Sequence, residues 1–192
     1  MESDGRGNAD DLDALRVRAA RTSQWNIGYF VAGFLFWLYA AGAGHLLEID
    51  DRRFALVAGT FFIFPVAVGA SRLLGADPFG KGNPLTELVG YTHMSVIALS
   101  FPLIVAIAIH EPDALILVMA VLYCIDFFVM TWAFGTRLFA LHAAGRVVLA
   151  SSAWFIFPDS RAVVLPLMVA GFYLVTVVTV PLLRRSWMRR HA

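Results

Sequence analysis

The chain has 192 residues, of which 59% are hydrophobic and only 15% are charged, and its mean hydropathy is +0.72. The apolar residues form long runs, which is typical of an integral membrane protein and excludes an ordinary soluble domain. The net charge is +1, and membrane topology accounts for the basic residues near the termini. We therefore expect no nucleic-acid partner. Cys124 is the only cysteine, which excludes an intramolecular disulfide and a cysteine-based metal site. We expect no cofactor.

Residues 1–24 are predicted to form a polar cytoplasmic tail that contains a short amphipathic helix. Acidic residues come before basic ones in this segment, which is the order that suits a helix dipole. Leu12, Leu15 and Ala19 share one face of the helix. We expect a solvated lead-in to the membrane, with a lipid-sensing or partner-binding helix as the alternative. The tail is long and partly acidic, so no cleavable signal peptide is expected.

Residues 25–183 are predicted to form one transmembrane domain, an all-α polytopic bundle of six helices. Each apolar run has about 20 residues, the length that a helix needs to cross a bilayer. The connections between the later spans are very short, so the helices that they join are expected to be antiparallel neighbours. The predicted spans are 27–47, 54–74, 88–109, 114–134, 138–157 and 163–183.

Basic residues are distributed unevenly between the two sides of the predicted bundle. The side that carries both termini has eleven arginines and lysines, and the other side has three. The positive-inside rule therefore predicts that both termini are cytoplasmic. A basic tail, residues 184–192, is expected to contact anionic lipid headgroups. Its arginines are Arg184, Arg185, Arg189 and Arg190. The sequence leaves a homo-oligomer open.

The longest internal loop lies on the predicted cytoplasmic side, between the second and third spans. Gly75 to Lys81 has the G-x-x-x-x-G-K spacing of a phosphate-binding loop, but a glycine follows where a metal-binding hydroxyl belongs, and no buried strand precedes it. We therefore interpret it as an interfacial turn rich in glycine and proline. Asn83 lies at its end, and Glu87 lies near the start of the third span, where a carboxylate complements the helix dipole.

Five polar residues are predicted to meet inside the membrane. Asp126 and Arg146 are each eight residues from the connection between spans four and five, so they lie at matching depth and are expected to pair directly. His142 lies one turn from Arg146, Tyr123 lies one turn from Asp126, and His93 enters from span three at similar depth. Ionisable groups at such a depth usually mark a functional site.

Three functions fit this cluster. A small-solute or ion transporter needs a water-filled route to the cluster, expected here as a cavity that opens to the cytoplasm and ends at Asp126; an apolar plug between Phe139 and Asp126 would argue against it. A structural or partner-binding protein needs only a closed ion pair that fixes helix packing. An intramembrane metal-dependent hydrolase needs His93, His142 and Asp126 to converge on one ion. The site is expected to hold no metal, because Arg146 nearby disfavours a cation, and catalytic residues are not identified.

Three short motifs stand out along the spans. They are Phe-Phe-Ile-Phe-Pro at 61–65, Gly-Asn-Pro-Leu at 82–85, and Asp-Phe-Phe at 126–128 followed by Trp132 and Thr136. They resemble motifs of an uncharacterised bacterial membrane family, the domain of unknown function 7010 family. The resemblance covers roughly residues 30 to 183. It implies a small polytopic protein of a bacterial inner (plasma) membrane, with no activity to transfer.

Overall fold

The computed structural model of the protein describes residues 5–80 and 82–191, and for residues 5–10 it describes the backbone alone. Every regular element in these ranges is helical, in agreement with the predicted all-α class. The elements are α1 (Gly5–Thr22), a 3₁₀ turn (Gln24–Asn26), α2 (Ile27–Leu46), α3 (Ile49–Leu73), α4 (Pro84–His110), α5 (Leu115–Leu122), α6 (Asp126–Phe134), α7 (Leu138–Ile156) and α8 (Arg161–His191).

Six helical segments are long and apolar enough to cross a membrane, and they match the six predicted spans in number and order. Two of them differ from the prediction in form. The fourth span is not one helix but two, α5 and α6, which meet at a break at residues 123–125. The sixth, α8, continues to His191, so the predicted basic tail forms the last turns of this helix and is not a separate segment.

The helix α1 lies across one end of the bundle. Asn83 Nδ2 donates to Leu15 O at 2.9 Å and Arg16 Nη2 donates to Trp132 O at 3.0 Å. Arg184 Nη1 donates to Ala20 O at 3.0 Å. The start of α4, the end of α6 and the C-terminal part of α8 therefore meet at this end, which we call the α1 end. The antiparallel order predicted from the short connections is confirmed.

The predicted apolar face of α1 faces the protein. Ala19 is fully buried, and Leu12 and Leu15 pack against the hydrophobic core of the bundle. The helix is thus docked on the ends of its neighbours, whereas the sequence suggested a solvated lead-in. The reason is that three bundle helices offer partners for its backbone and side chains at this end, which the helix's own sequence does not reveal.

The helix α2 is the centre of the packing, because it contacts α3 on one side and α8 on the other over most of its length. Glycines make this possible. A Cβ at Gly28 would lie 2.4 Å from Ala67 O, and one at Gly44 would lie 2.0 Å from Ala162 O. Small residues in membrane helices allow this close approach of backbones. The sequence does not predict the contact between α2 and α8, since these helices are far apart in the chain.

The turn that joins α1 to α2 has an unusual backbone. Gln24, Trp25 and Asn26 all have positive φ, at 49°, 57° and 53°. Non-glycine residues in this left-handed region are strained by about 1 to 2 kcal/mol each. Trp25 compensates by packing its buried ring edge-on against Phe139 and Trp187. Asn26 is also fully buried, but neither its Oδ1 nor its Nδ2 has a hydrogen-bond partner among the described residues.

The strain at this turn leads to a prediction about stability. Replacement of Asn26 by glycine should raise the free energy of unfolding by about 1 to 2 kcal/mol, because it relieves one left-handed residue and removes an unpaired buried amide. The measurement is denaturant unfolding in detergent. Trp25→Gly is the matched control: it relieves the same kind of strain but loses the buried indole, so it should destabilise the protein. Loss of stability in Asn26→Gly would mean that the amide makes a contact that matters.

A second prediction concerns the orientation of the bundle, which rests on the charge bias of the sequence. Reporter domains fused after Glu48, Asp77 and Asp113 should be found outside, inside and outside the cytoplasm, respectively. These positions lie alternately at the opposite end and the α1 end. Any other order in a protease-protection or phosphatase-reporter assay would overturn the orientation.

Candidate functional site

The break in the fourth span lies at the predicted polar cluster. Backbone N–H groups of Cys124 and Ile125 bond to carbonyls three residues earlier, and Phe127 and Phe128 do the same, so the helix tightens and restarts. Asp126 is the first residue of α6. A helix N-terminus carries a partial positive charge, which stabilises a carboxylate in the first turn. The amides of Phe127 and Phe128 are already used by these bonds, so the dipole contributes only a small part to the environment of Asp126. Asp126 lies about 12 Å from the end of α6, at 1.5 Å per residue.

Asp126 pairs with His93, which α4 brings to it. The His93 Nδ1 to Asp126 Oδ2 distance is 2.5 Å, and the Asp126 side chain is 3% exposed. The ring of Tyr29 from α2 packs edge-on against His93, with centroids 4.4 Å apart. Three helices thus enclose this pair. In a hydrogen bond between an imidazole and a carboxylate, the proton can lie on either group without movement of the nitrogen or the oxygen.

Arg146 does not pair with Asp126, so that expectation was wrong. Its Nη1 donates to the hydroxyl of Tyr173 from α8, and its guanidinium lies over the rings of Phe127 and Tyr173, at 5.6 Å and 5.5 Å from their centroids. Arg146 is fully buried. The two charges lie at the predicted depth, but α4 and α8 supply each of them with a nearer partner. Contact with aromatic faces is a known environment for a desolvated guanidinium.

His142 bonds to a residue of α8 and does not join Asp126 and His93. Its Nδ1 lies 2.7 Å from Thr176 Oγ1, and its ring stacks on Phe172 at 5.0 Å. His93, His142 and Asp126 therefore do not converge on one point, and no group of three metal-ligating side chains is found among the described residues. The arrangement gives no support to the metal-dependent hydrolase.

A small cavity of about 30 Å³ lies beside the Asp126–His93 pair. Its walls come from α2, α3, α4, α6 and α8 and from the break between α5 and α6. A space of this size holds one or two water molecules and no organic solute. Its polar lining residues are Tyr29, His93, Tyr123, Asp126 and Tyr173.

The route from the α1 end to Asp126 is closed by aromatic rings. Phe30 stacks between Phe127 and Phe139, with centroid distances of 5.4 Å and 5.9 Å, and Phe134 packs against Phe139. All four rings are buried. The predicted cavity that opens to the cytoplasm and ends at Asp126 was therefore wrong for this conformation, because α2 inserts Phe30 into the space that the sequence left open.

The loop residues singled out in the sequence have mainly structural roles. Asn83 caps α4, since its Oδ1 accepts from Leu85 N at 3.0 Å while its Nδ2 holds α1. Glu87 Oε1 accepts from Gly82 N at 3.2 Å. Lys81 lies outside the described residues. Of the C-terminal arginines, Arg184 bonds to α1, while Arg185, Arg189 and Arg190 are exposed.

Sequence reasoning missed Tyr173, Thr176 and Tyr29, although each contacts a predicted site residue. For Tyr173 and Thr176 the available signal was a hydroxyl-bearing side chain near the middle of an apolar span, whereas Tyr29 lies at the start of α2 and gives no such signal. The sequence does not show which helices are neighbours, and α2 and α8 flank the cluster only in the folded bundle.

Double-mutant cycles can test the observed pairs against the predicted pair of Asp126 and Arg146. His93→Gln with Asp126→Asn, and Arg146→Gln with Tyr173→Phe, should each show a coupling of about 0.5 to 3 kcal/mol, as for residues in contact. Asp126→Asn with Arg146→Gln should be additive within about 0.5 kcal/mol. The free energies come from unfolding in detergent. A large coupling between Asp126 and Arg146 would restore the direct pair.

Comparisons with known proteins place the chain in a family but attach no activity to it. A family model described as a family of unknown function (DUF7010) matches residues 12–182, which is most of the chain and includes all the cluster residues. No curated protein and no solved structure matches the chain. The resemblance noted in its motifs is thereby confirmed: the chain belongs to this family of unknown function, DUF7010.

Proposed function

We propose that this protein is a transporter of a small solute or ion and that the Asp126–His93 pair binds and releases the proton coupled to that movement. The observation that carries the proposal is the enclosed Asp126–His93 pair beside a small cavity, where the fourth span tightens. Ionisable residues inside membrane spans often mark proton relays and solute pathways in pumps and transporters.

The cluster has donor and acceptor positions for further ligands. Asp126 Oδ1, His93 Nε2 and the Nε and Nη2 of Arg146 have no hydrogen-bond partner among the described protein atoms. A group that binds a proton, a water or a solute needs such positions.

The buried rings of Phe30, Phe127 and Phe139 form the apolar plug that argues against transport through the α1 end. The proposal therefore requires access to the pair from another direction. The cavity beside Asp126 is also lined by Ile63 of α3 and Val96 of α4. These two helices contact each other sparsely, in contrast to the long contact of α2 with α3. We therefore interpret this conformation as an occluded one and the α3–α4 side as the side that opens.

The location of the protein is part of the proposal. The excess of basic residues at the α1 end supports a bacterial inner membrane with this end in the cytoplasm. The exposed arginines of the last turns of α8 are suited to contact anionic lipid headgroups.

Proton movement through reconstituted protein tests the function. Proteoliposomes that contain a pH-sensitive dye should equilibrate an imposed pH step faster than empty liposomes, and Asp126→Asn should slow this on the order of tenfold or more, since the step requires the carboxylate. His93→Gln should act in the same direction. Asp113→Asn is the matched control: this carboxylate pairs with Arg52 and Arg161 at the opposite end, and its loss should leave the flux unchanged.

A carrier that moves protons only together with its solute would show no proton flux in this assay. Infrared difference spectroscopy can still detect proton binding in such a carrier. A carboxyl band that changes with pH and disappears in Asp126→Asn would support proton binding at this site. If the carboxyl band does not change with pH and the proton flux equals that of empty liposomes, a structural role of the pair is the better explanation.

A further inference from the structure

A second and larger cavity lies between α3 and α4, near the α1 end. It has a volume of about 380 Å³, which is in the range of small-molecule sites. Aromatic and apolar side chains make up most of its walls, and one acidic side chain lies at its border. The residues that matter below are Phe64, Phe79, Thr86, Glu87, Tyr91 and Met94. We call this space the α3–α4 groove.

The charge of the groove selects a cation. Glu87 is the only charged residue among its described lining residues. The backbone N–H groups at the start of α4 are already used, because Leu85 N donates to Asn83 Oδ1 and the amides of Thr86 and Glu87 donate to Asn83 O. An anion would therefore meet a carboxylate and only the neutral hydroxyls of Thr86 and Tyr91 as donors. The dipole of α4 offsets roughly half of the carboxylate charge, so Glu87 alone makes a weak site.

Aromatic rings supply what the carboxylate lacks. Phe64 and Phe79 meet edge to face with centroids 6.1 Å apart, and Tyr91 stands on the α4 wall one turn after Glu87. Aromatic faces attract organic cations, and the attraction grows when the cation is desolvated. Apolar atoms of Met94 complete a wall suited to hydrocarbon groups. A small hydrated metal ion gains nothing from such walls.

We propose that the α3–α4 groove is a binding site for amphiphilic organic cations, with the positive centre near Glu87 and the apolar groups between Phe64, Phe79 and Tyr91. The site is distinct from the proton site, although Phe64 and Met94 are direct chain neighbours of Ile63 and His93, which line the inner cavity. The inference does not depend on proton coupling. Such cations reach the groove either dissolved in the membrane or as the amine headgroup of a lipid.

Binding of radiolabelled tetraphenylphosphonium to the full chain in neutral-detergent micelles, at one pH and without a gradient, tests the site. The wild type should bind this cation, and Glu87→Gln should weaken binding roughly tenfold, which is one decade in the dissociation constant. The amide retains an oxygen that can accept from Gly82 N, so the fold should survive. Phe64→Leu, which keeps an apolar wall without a ring, should also weaken binding.

Two controls make the result decisive. Glu111→Gln changes an exposed acid at the far end of the same helix and should bind as the wild type does. Triphenylphosphine oxide, which is neutral, should not compete with the labelled cation. Equal binding by Glu87→Gln and the wild type, or effective competition by the neutral compound, would overturn the proposal.

The two sources of the cation are separated by adding lipid to the micelles. If the natural occupant is a lipid headgroup, phosphatidylethanolamine should displace the probe from the wild type, and phosphatidylglycerol should not. If it is a free amphiphilic cation, neither lipid should displace the probe. Both outcomes support a cation site in the groove. If the probe does not bind, the cation site is wrong, but the proposal of proton binding at Asp126 is not affected.

Discussion

The Asp126 side chain is only 3% exposed, so its carboxyl group depends on the partners that the bundle supplies. Asp126 is the first residue of α6, a position that suits a carboxylate. The α4 helix supplies His93 at 2.5 Å. On the other side of the bundle, Arg146 is stabilised by the hydroxyl of Tyr173 and by aromatic faces. Opposite charges at one depth are thus accommodated separately, and each ties α6 or α7 to a helix other than its sequence neighbour.

The packing around these charges depends on α2. Its glycines let α3 and α8 approach its backbone closely, and its Phe30 fills the space between Phe127 and Phe139. The same helix therefore holds the bundle together and closes the axial route to the site. The side formed by α3 and α4 is different, because it has few helix contacts and contains a groove of about 380 Å³ with one acidic side chain. The core around α2 is therefore sealed, whereas the side formed by α3 and α4 is loosely packed.

The proposed proton site and the proposed cation groove share the helix α4. His93 faces the inner cavity, while Glu87, Tyr91 and Met94 line the groove from the preceding turns and the next residue of α4. A protein that exchanges a proton for a positively charged solute needs two such sites within reach of each other. Lateral access also suits a solute that is concentrated in the bilayer. The arrangement of α4 therefore links the proposed function to the proposed ligand class through geometry alone.

The sequence by itself determined the membrane class, six spans and their antiparallel order, because long apolar runs and short connections leave a helical chain few alternatives. It also predicted which polar residues lie at similar levels along the spans, since this follows from counting residues along a helix. Only the tertiary structure decided which of them pair: His93 with Asp126, Tyr173 with Arg146 and Thr176 with His142. The break at residues 123–125, the docking of α1 and the aromatic closure by Phe30 likewise appear only in the fold. The physical reason is that periodicity gives the depth and face of a residue, whereas its partner is set by contacts between helices distant in the chain.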